Sequence, residues 1–118
     1  MRAYLIDPEA AKVRPVTLSG GADPGAFAGD VDEVRVLLQA STVQEIDAGA
    51  LPVRLLVAAP AQTDPFRLDL FTLEGRRDPI AGRGLLVGGR RHGPLAQVAV
   101  PEAAVMRRIA FPATLFGL

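Results

Sequence analysis

The sequence predicts an α+β fold, in which a mainly antiparallel sheet is accompanied by a short helical turn near residue 25 and by a C-terminal helix. The first observation behind this prediction is that apolar residues fall into short runs with strand-like alternation. The second is a set of four Asp-Pro pairs that separate the runs: Asp7-Pro8, Asp23-Pro24, Asp64-Pro65 and Asp78-Pro79. Proline fixes φ, and the preceding aspartate can accept hydrogen bonds from nearby backbone N–H groups, so each pair indicates a turn or a helix start.

The first two strands are predicted to form a hairpin, because residues 2–6 (RAYLI) and 12–18 (KVRPVTL) flank the turn DPEAA. Pro15 has no N–H group to donate, so the second strand is expected to lie at an edge of the sheet or to be irregular there. In the stretch that follows, Asp23 suits an N-cap and Pro24 a first helical position, which predicts the short helical turn.

Further strands are predicted in the middle of the chain. In one of them Val34, Val36 and Leu38 would point to one side, and Glu33 and Arg35 to the other. Residues 53–58 (VRLLVA) form a second, more fully apolar one. Residues 66–73 (FRLDLFTL) alternate as well. The turn EGRRDP follows them, and together with the next apolar run it predicts a second hairpin.

The last part of the chain is predicted to hold one more strand, at residues 95–100 (LAQVAV), and then the C-terminal helix. Pro101 suits the first position of this helix. Val105 and Ile109 are four residues apart, so they would share its apolar face. Pro112 would end it, because proline cannot continue a helix.

Length and composition favour a single domain over residues 1–118. Hydrophobic residues make up 49% of the chain and aromatic residues only 5%, so the core is expected to be aliphatic. Cysteine is absent, which excludes disulfides and thiolate metal sites, and no cofactor is expected. The sequence has no apolar run of the roughly 18–20 residues that span a membrane and no secretory signal at its start, so we expect a soluble, cytoplasmic protein without a membrane partner.

Charge is unevenly distributed along the chain, although the net charge is zero. Residues 1–74 carry six basic and eleven acidic side chains, whereas residues 75–118 carry seven basic and two acidic ones. Either the two halves lie against each other and their charges interleave, or the basic residues form an exposed patch for an anionic partner. The residues of such a patch, which we call the basic segment, are Arg76, Arg77, Arg83, Arg90, Arg91 and His92.

The stretch PIAGRGLLVGGRRHG, residues 79–93, holds five glycines around a short apolar run. A dinucleotide-binding loop would need a third glycine where Val87 stands, and it would need to open directly into a helix. A P-loop would need Lys and Ser or Thr where Arg90 and Arg91 stand. We therefore interpret the stretch as a buried strand between two glycine-rich turns.

The sequence contains no recognisable catalytic group of residues. His92 is the sole imidazole, and the two serines, Ser19 and Ser41, are far from it in sequence. One histidine without cysteine argues against a transition-metal site. The acidic run at residues 30–33 lacks the glycine and the terminal glutamate of a calcium loop. The chain is therefore predicted not to be an enzyme and to bind no metal.

Four segments carry a resemblance to a known family: YLIDPEAAKV at 4–13, RLLVA at 54–58, the pattern F-x-L-x-x-F-x-L-E-G at 66–75, and PIAGRGLLVGG at 79–89. Their order resembles a small family of proteins of unknown function from phage-like and plasmid-like gene sets. Members similarly open with an Ile-Asp-Pro turn and carry a Pro-Leu-Ala-Gly-x-Gly-Leu-Val-x-Gly strand. In this chain residues 57–61 (VAAPA) replace the acidic Val-Asp-Glu-Glu-Gly segment that is usual in the family. The resemblance implies no known activity, so it transfers no catalytic residue.

Two functional hypotheses follow from the sequence. The first is a non-enzymatic accessory protein that acts through protein–protein interaction or regulation, with an unidentified protein partner and with homodimerisation left open. The alternative is a module that binds a small anionic ligand or nucleic acid through residues 83–92 of the basic segment. The zero net charge favours a protein partner over nucleic acid.

Overall fold

Eight strands and two short helices follow one another in the part of the chain that the computed structural model describes, residues 1–18, 32–60, 69–90 and 96–111. In chain order they are β1 (Arg2–Asp7), β2 (Lys12–Thr17), α1 (Asp32–Leu38), β3 (Val43–Ile46), β4 (Arg54–Ala58), β5 (Leu70–Leu73), β6 (Ile80–Ala81), β7 (Gly84–Val87), α2 (Glu102–Met106) and β8 (Ile109–Ala110). The pairs among these strands are antiparallel, so the predicted α+β class is confirmed. Within the same ranges, no helix is long and apolar enough to cross a membrane.

The central sheet has five strands in the order β2-β1-β7-β4-β3, and both of its faces are covered. On one face, Leu5 of β1 packs in a cluster with Val34 and Leu38 of α1. On the other face, Ile6 packs in a cluster with Phe71 of β5, which belongs to the smaller sheet β6-β5-β8. Because successive strand residues point to opposite faces, the inner strands β1, β7 and β4 bury nearly every side chain. This is why they read as unbroken apolar runs.

The glycine-rich stretch that begins at Pro79 contains a strand between turns, as the sequence predicts. All four residues of β7 are buried, and β7 pairs with β1 on one side and with β4 on the other. The turns around it use Gly82 and Gly89, whose φ angles of 83° and 99° favour glycine. Gly84 is required by packing instead, because a Cβ atom there would lie 2.8 Å from Cζ of Phe71. Its missing side chain allows the two sheets to approach closely.

The other confirmed elements are the two hairpins and the apolar strand in the middle of the chain. β1 and β2 pair along their whole length, and β4 occupies the predicted apolar run. β5 and β6 form the second hairpin, although residues 66–68 of the predicted strand lie outside the described residues. β2 is an edge of the central sheet among the described strands, and Pro15 lies within it, as expected.

The predicted strand through Val34, Val36 and Leu38 is wrong, because these residues form the helix α1. Val34 and Leu38 are four residues apart and both are buried, so they make one helical face against the sheet. Two acidic residues in the first turn favour the helix as well. The alternation of Val34, Val36 and Leu38 could not reveal the helix, because the first and last of these residues are four apart, which is also the spacing of one helical turn. The helical turn predicted near residue 25 lies outside the described residues.

The predicted C-terminal helix is present but shorter than expected. α2 ends at Met106, and Ile109 lies in β8, where it pairs with Leu73 of β5. In β8 the side chain of Ile109 is buried in the core cluster that includes Phe71 and Leu73, so it reaches the core from a strand and not from the predicted helical face. The strand predicted at residues 95–100 is wrong within its described part, which forms only a single bridge between Ala96 and Gly88.

The C-terminus of α1 offers a test of the helix assignment. The N–H of Ala40 donates to the carbonyl of Arg35, and the N–H of Gln39 donates to that of Val36, which is a Schellman motif with Gln39 at the left-handed position. Since glycine adopts this conformation without a Cβ penalty, Gln39→Gly is expected to raise the free energy of unfolding by about 0.5–1 kcal/mol. Urea denaturation measures this change. Gln39→Ala keeps the Cβ atom and should show no gain, and an equal gain for both variants would contradict the assignment.

Candidate binding surface

A groove lies between the end of β2 and the outer side of α1. Its volume is about 350 Å³, and its lining consists of Val16, Thr17, Asp32, Glu33, Val36 and Leu37. Val36 is 75% exposed, whereas Val16 and Leu37 are half-buried. An apolar side chain on a helix normally faces the core, so an apolar residue that is this exposed and has apolar neighbours marks a surface suited to a partner.

The local sequence explains why α1 has this second apolar side. The helix sequence DEVRVLL contains four aliphatic residues, of which Val34 and Leu38 already face the sheet. Successive helical residues are about 100° apart, so Val36 lies on the side of α1 opposite the buried face. Leu37 lies at the edge of the buried face, where it is half-buried against the same core cluster. On β2, Val16 points to the face of the sheet that α1 covers, so it completes the apolar side of the groove.

Carboxylates set the charge of this groove. Asp32 and Glu33 belong to the first turn of α1, and the described residues that line the groove include no basic side chain. Asp32 pairs with Arg35 at 3.4 Å, yet its own side chain remains 95% exposed. The acidic side of the groove therefore stays accessible to a cationic group of a partner.

The structure separates Arg83 from Arg90, another member of the basic segment. Arg83 precedes β7, and Arg90 follows it, so four strand residues at about 3.3 Å each put more than about 10 Å between them. The Arg83 side chain is 21% exposed, its Nη1 donates to the carbonyl of Leu37 at 3.1 Å, and its Nη2 lies 3.8 Å from Oδ2 of Asp7. It lines a polar cleft of about 280 Å³ while it holds α1 to the first hairpin.

Arg76 and Arg77 lie in the turn between β5 and β6. Nη1 of Arg76 donates to the carbonyl of Asp47 at 2.8 Å, and Arg77 is exposed. Arg108, which the sequence did not place in the basic segment, reaches the same turn through a 3.2 Å ion pair with Glu74. Arg90 is exposed, and Arg91 and His92 lie outside the described residues.

Two of these contacts bear on how the acidic and basic halves of the chain are arranged. Arg83 and Arg108 come from the basic half, and their partners Asp7 and Glu74 come from the acidic half. The charges of the halves therefore interleave at these two places. The described residues hold no group of three or more acidic or histidine side chains that could bind a metal ion.

The sequence analysis missed a buried ion pair between Arg54 of β4 and Glu45 of β3. Their side chains are only 5% and 3% exposed, and Nη2 of Arg54 lies 2.8 Å from Oε1 of Glu45. Nε of Arg54 donates to the same oxygen at 3.1 Å, and Nη1 donates to the carbonyl of Gly88 at 3.2 Å. Arg54 thus links β3, β4 and the end of β7. The sequence did hold one indication of this pair: an arginine immediately precedes the fully apolar run LLVA, and a charge that is buried with such a run needs a partner.

Comparison of this chain with protein families, curated proteins and solved structures finds no match.

Proposed function

We propose that this chain is a cytoplasmic, non-catalytic module that binds a partner protein through the groove between β2 and α1. The exposure of Val36 carries this proposal. Val36 is one of two large apolar side chains that are exposed in the described residues, and it lies beside the apolar Val16 and Leu37. Burying this surface against a partner removes apolar area from water, which is the main favourable term in protein association.

The partner segment is expected to combine an apolar side chain with Lys or Arg. The apolar side chain would cover Val36, and the cationic one would lie beside Asp32 and Glu33. A groove of this size buries well under the roughly 1,200 Å² of a stable interface, so the affinity for a short segment should be in the micromolar range. Salt should weaken it, because the carboxylate of Asp32 is exposed.

Peptides of about 12 residues, long enough for three helical turns, can be selected from a random displayed library on the wild-type chain. We expect the selected peptides to be rich in apolar and basic residues, and Val36→Glu to weaken their binding by about tenfold or more, because it places a charge in the apolar contact. Isothermal titration of the purified chain with synthetic peptides measures the loss.

Met106→Glu is the matched control, because Met106 is also an exposed apolar helical residue, at 53% exposure, but does not line the groove. Both variants should keep the wild-type free energy of unfolding within about 0.5 kcal/mol, since both positions are on the surface. Equal affinities for wild type and Val36→Glu would overturn the proposed function. Binding of anions through the basic segment stays a separate prediction.

A further inference from the structure

We infer that the partner segment lies in the groove as a short amphipathic helix and is not added to β2 as a further strand. This inference rests on the proposed function, because it concerns the same groove. It follows from which backbone groups β2 turns outward, and from how the lining residues are spaced along α1.

The direction of the backbone groups along β2 follows from its pairing with β1. The N–H of Leu18 donates to the carbonyl of Met1 at 2.8 Å, so this pair is hydrogen-bonded. In an antiparallel ladder, hydrogen-bonded pairs of residues alternate with pairs that are not hydrogen-bonded. From the register between β1 and β2, the backbone groups of Val16 therefore point toward β1, and those of Thr17 point away from it. By the same alternation, Pro15 also faces outward.

Pro15 interrupts the outward edge at the place where an added strand would need a donor. Proline has no N–H group, so a carbonyl of the added strand would be left without its partner beside the groove. An unpaired carbonyl that loses its water weakens binding. Edge prolines are one of the devices by which proteins prevent another strand from pairing.

A helix avoids this problem because its backbone groups are satisfied internally. A helix therefore needs only side-chain contacts from the groove. The lining residues of α1 form two rows along the helix that can make these contacts. Asp32 and Val36 form one row, and Glu33 and Leu37 form the other, each with a spacing of four residues. A partner helix whose apolar and basic residues are also one turn apart matches both rows.

The test uses the peptides selected on the wild-type chain. Proline placed at the centre of such a peptide should weaken binding by about tenfold or more, whereas proline at its first residue should be tolerated, because only the central one breaks a helix. On the side of the protein, Pro15→Thr restores an outward N–H group on β2. Its affinity for the peptides should stay within about twofold of wild type, because a helix does not use that donor.

The possible outcomes separate this inference from the proposed function. If Val36→Glu abolishes binding while a central proline is tolerated and Pro15→Thr tightens binding, the groove is the site but the segment binds as a strand, and the helical inference is overturned. If Val36→Glu has no effect, the proposed function fails. Sedimentation that shows a dimer lost in Val36→Glu would make a second copy of the chain the occupant and would overturn both.

Discussion

Replacement of Arg54 by alanine is expected to lower the free energy of unfolding by about 3–5 kcal/mol, because it removes the guanidinium that lies 2.8 Å from the buried carboxylate of Glu45. It also removes the donor that Arg54 offers to the carbonyl of Gly88. Domains are typically stable by about 5–15 kcal/mol, so this loss would be a large share of the total. Urea denaturation followed by circular dichroism measures it.

Arg108→Ala provides the control, since Arg108 also forms an ion pair, with Glu74 at 3.2 Å, but this pair is exposed. Exposed pairs contribute about 0–1 kcal/mol, so this variant should be nearly neutral. Replacing both Arg54 and Glu45 by leucine should recover most of the loss, because both charges of the buried pair are then removed together. If Arg54→Ala cost no more than Arg108→Ala, the buried pair would not be important for stability.

Gly84→Val should lower the free energy of unfolding by about 3 kcal/mol, because added side-chain atoms have no space in the core. Even a Cβ atom would lie 2.8 Å from Cζ of Phe71 and 3.0 Å from Cδ1 of Leu55, and β7 is held between two neighbouring strands. Thermal and urea denaturation both report the loss. Gly84→Ala should show a smaller loss in the same direction, of about 1–2 kcal/mol.

Gly82→Ala measures how much stability is lost when a residue with a Cβ atom adopts a positive φ and no neighbouring atom is crowded. A Cβ atom at Gly82 meets nothing within 4 Å, but the φ of 83° disfavours any other residue, so the loss should be about 1 kcal/mol. When Phe71 has first been replaced by leucine, Gly84→Ala should lower the free energy of unfolding by less than it does in the wild-type chain, because the ring that causes the contact is gone. Fully additive effects of these two substitutions would show that Phe71 is not the obstacle.

The inner strands of the central sheet could be predicted because their burial follows from local sequence, whereas the edge strand β3, Val43–Ile46, is only half-buried and was missed. β1, β4 and β7 are apolar on both faces, and turn residues separate them. α1 could not be predicted from alternation, because a helix of seven residues with only Val34 and Leu38 buried satisfies a strand pattern equally well. Ile109 was placed in a helix because its spacing from Val105 is helical, whereas pairing with Leu73 decides its structure.

The candidate surfaces were harder to predict because they combine residues from distant parts of the chain. Arg83 and Arg90 are close in sequence, but an extended strand separates them. The groove joins Val16 to Val36, and nothing in either local sequence indicates that these residues share a surface. The partner of the buried Arg54 is Glu45 on the neighbouring strand, and this pairing depends on the register between β3 and β4.

The place of β7 between β1 and β4 has a consequence for synthesis on the ribosome. β1 and β2 leave the ribosome first, but Tyr4 of β1 finds its partner Leu86 only after β3 to β6 have been made. At roughly 5–20 residues per second, the completed hairpin waits for about 3–14 s with apolar side chains exposed on both faces. Nascent chains that stop before Gly84 are therefore expected to be the most aggregation-prone form of the protein and the form that most needs a chaperone.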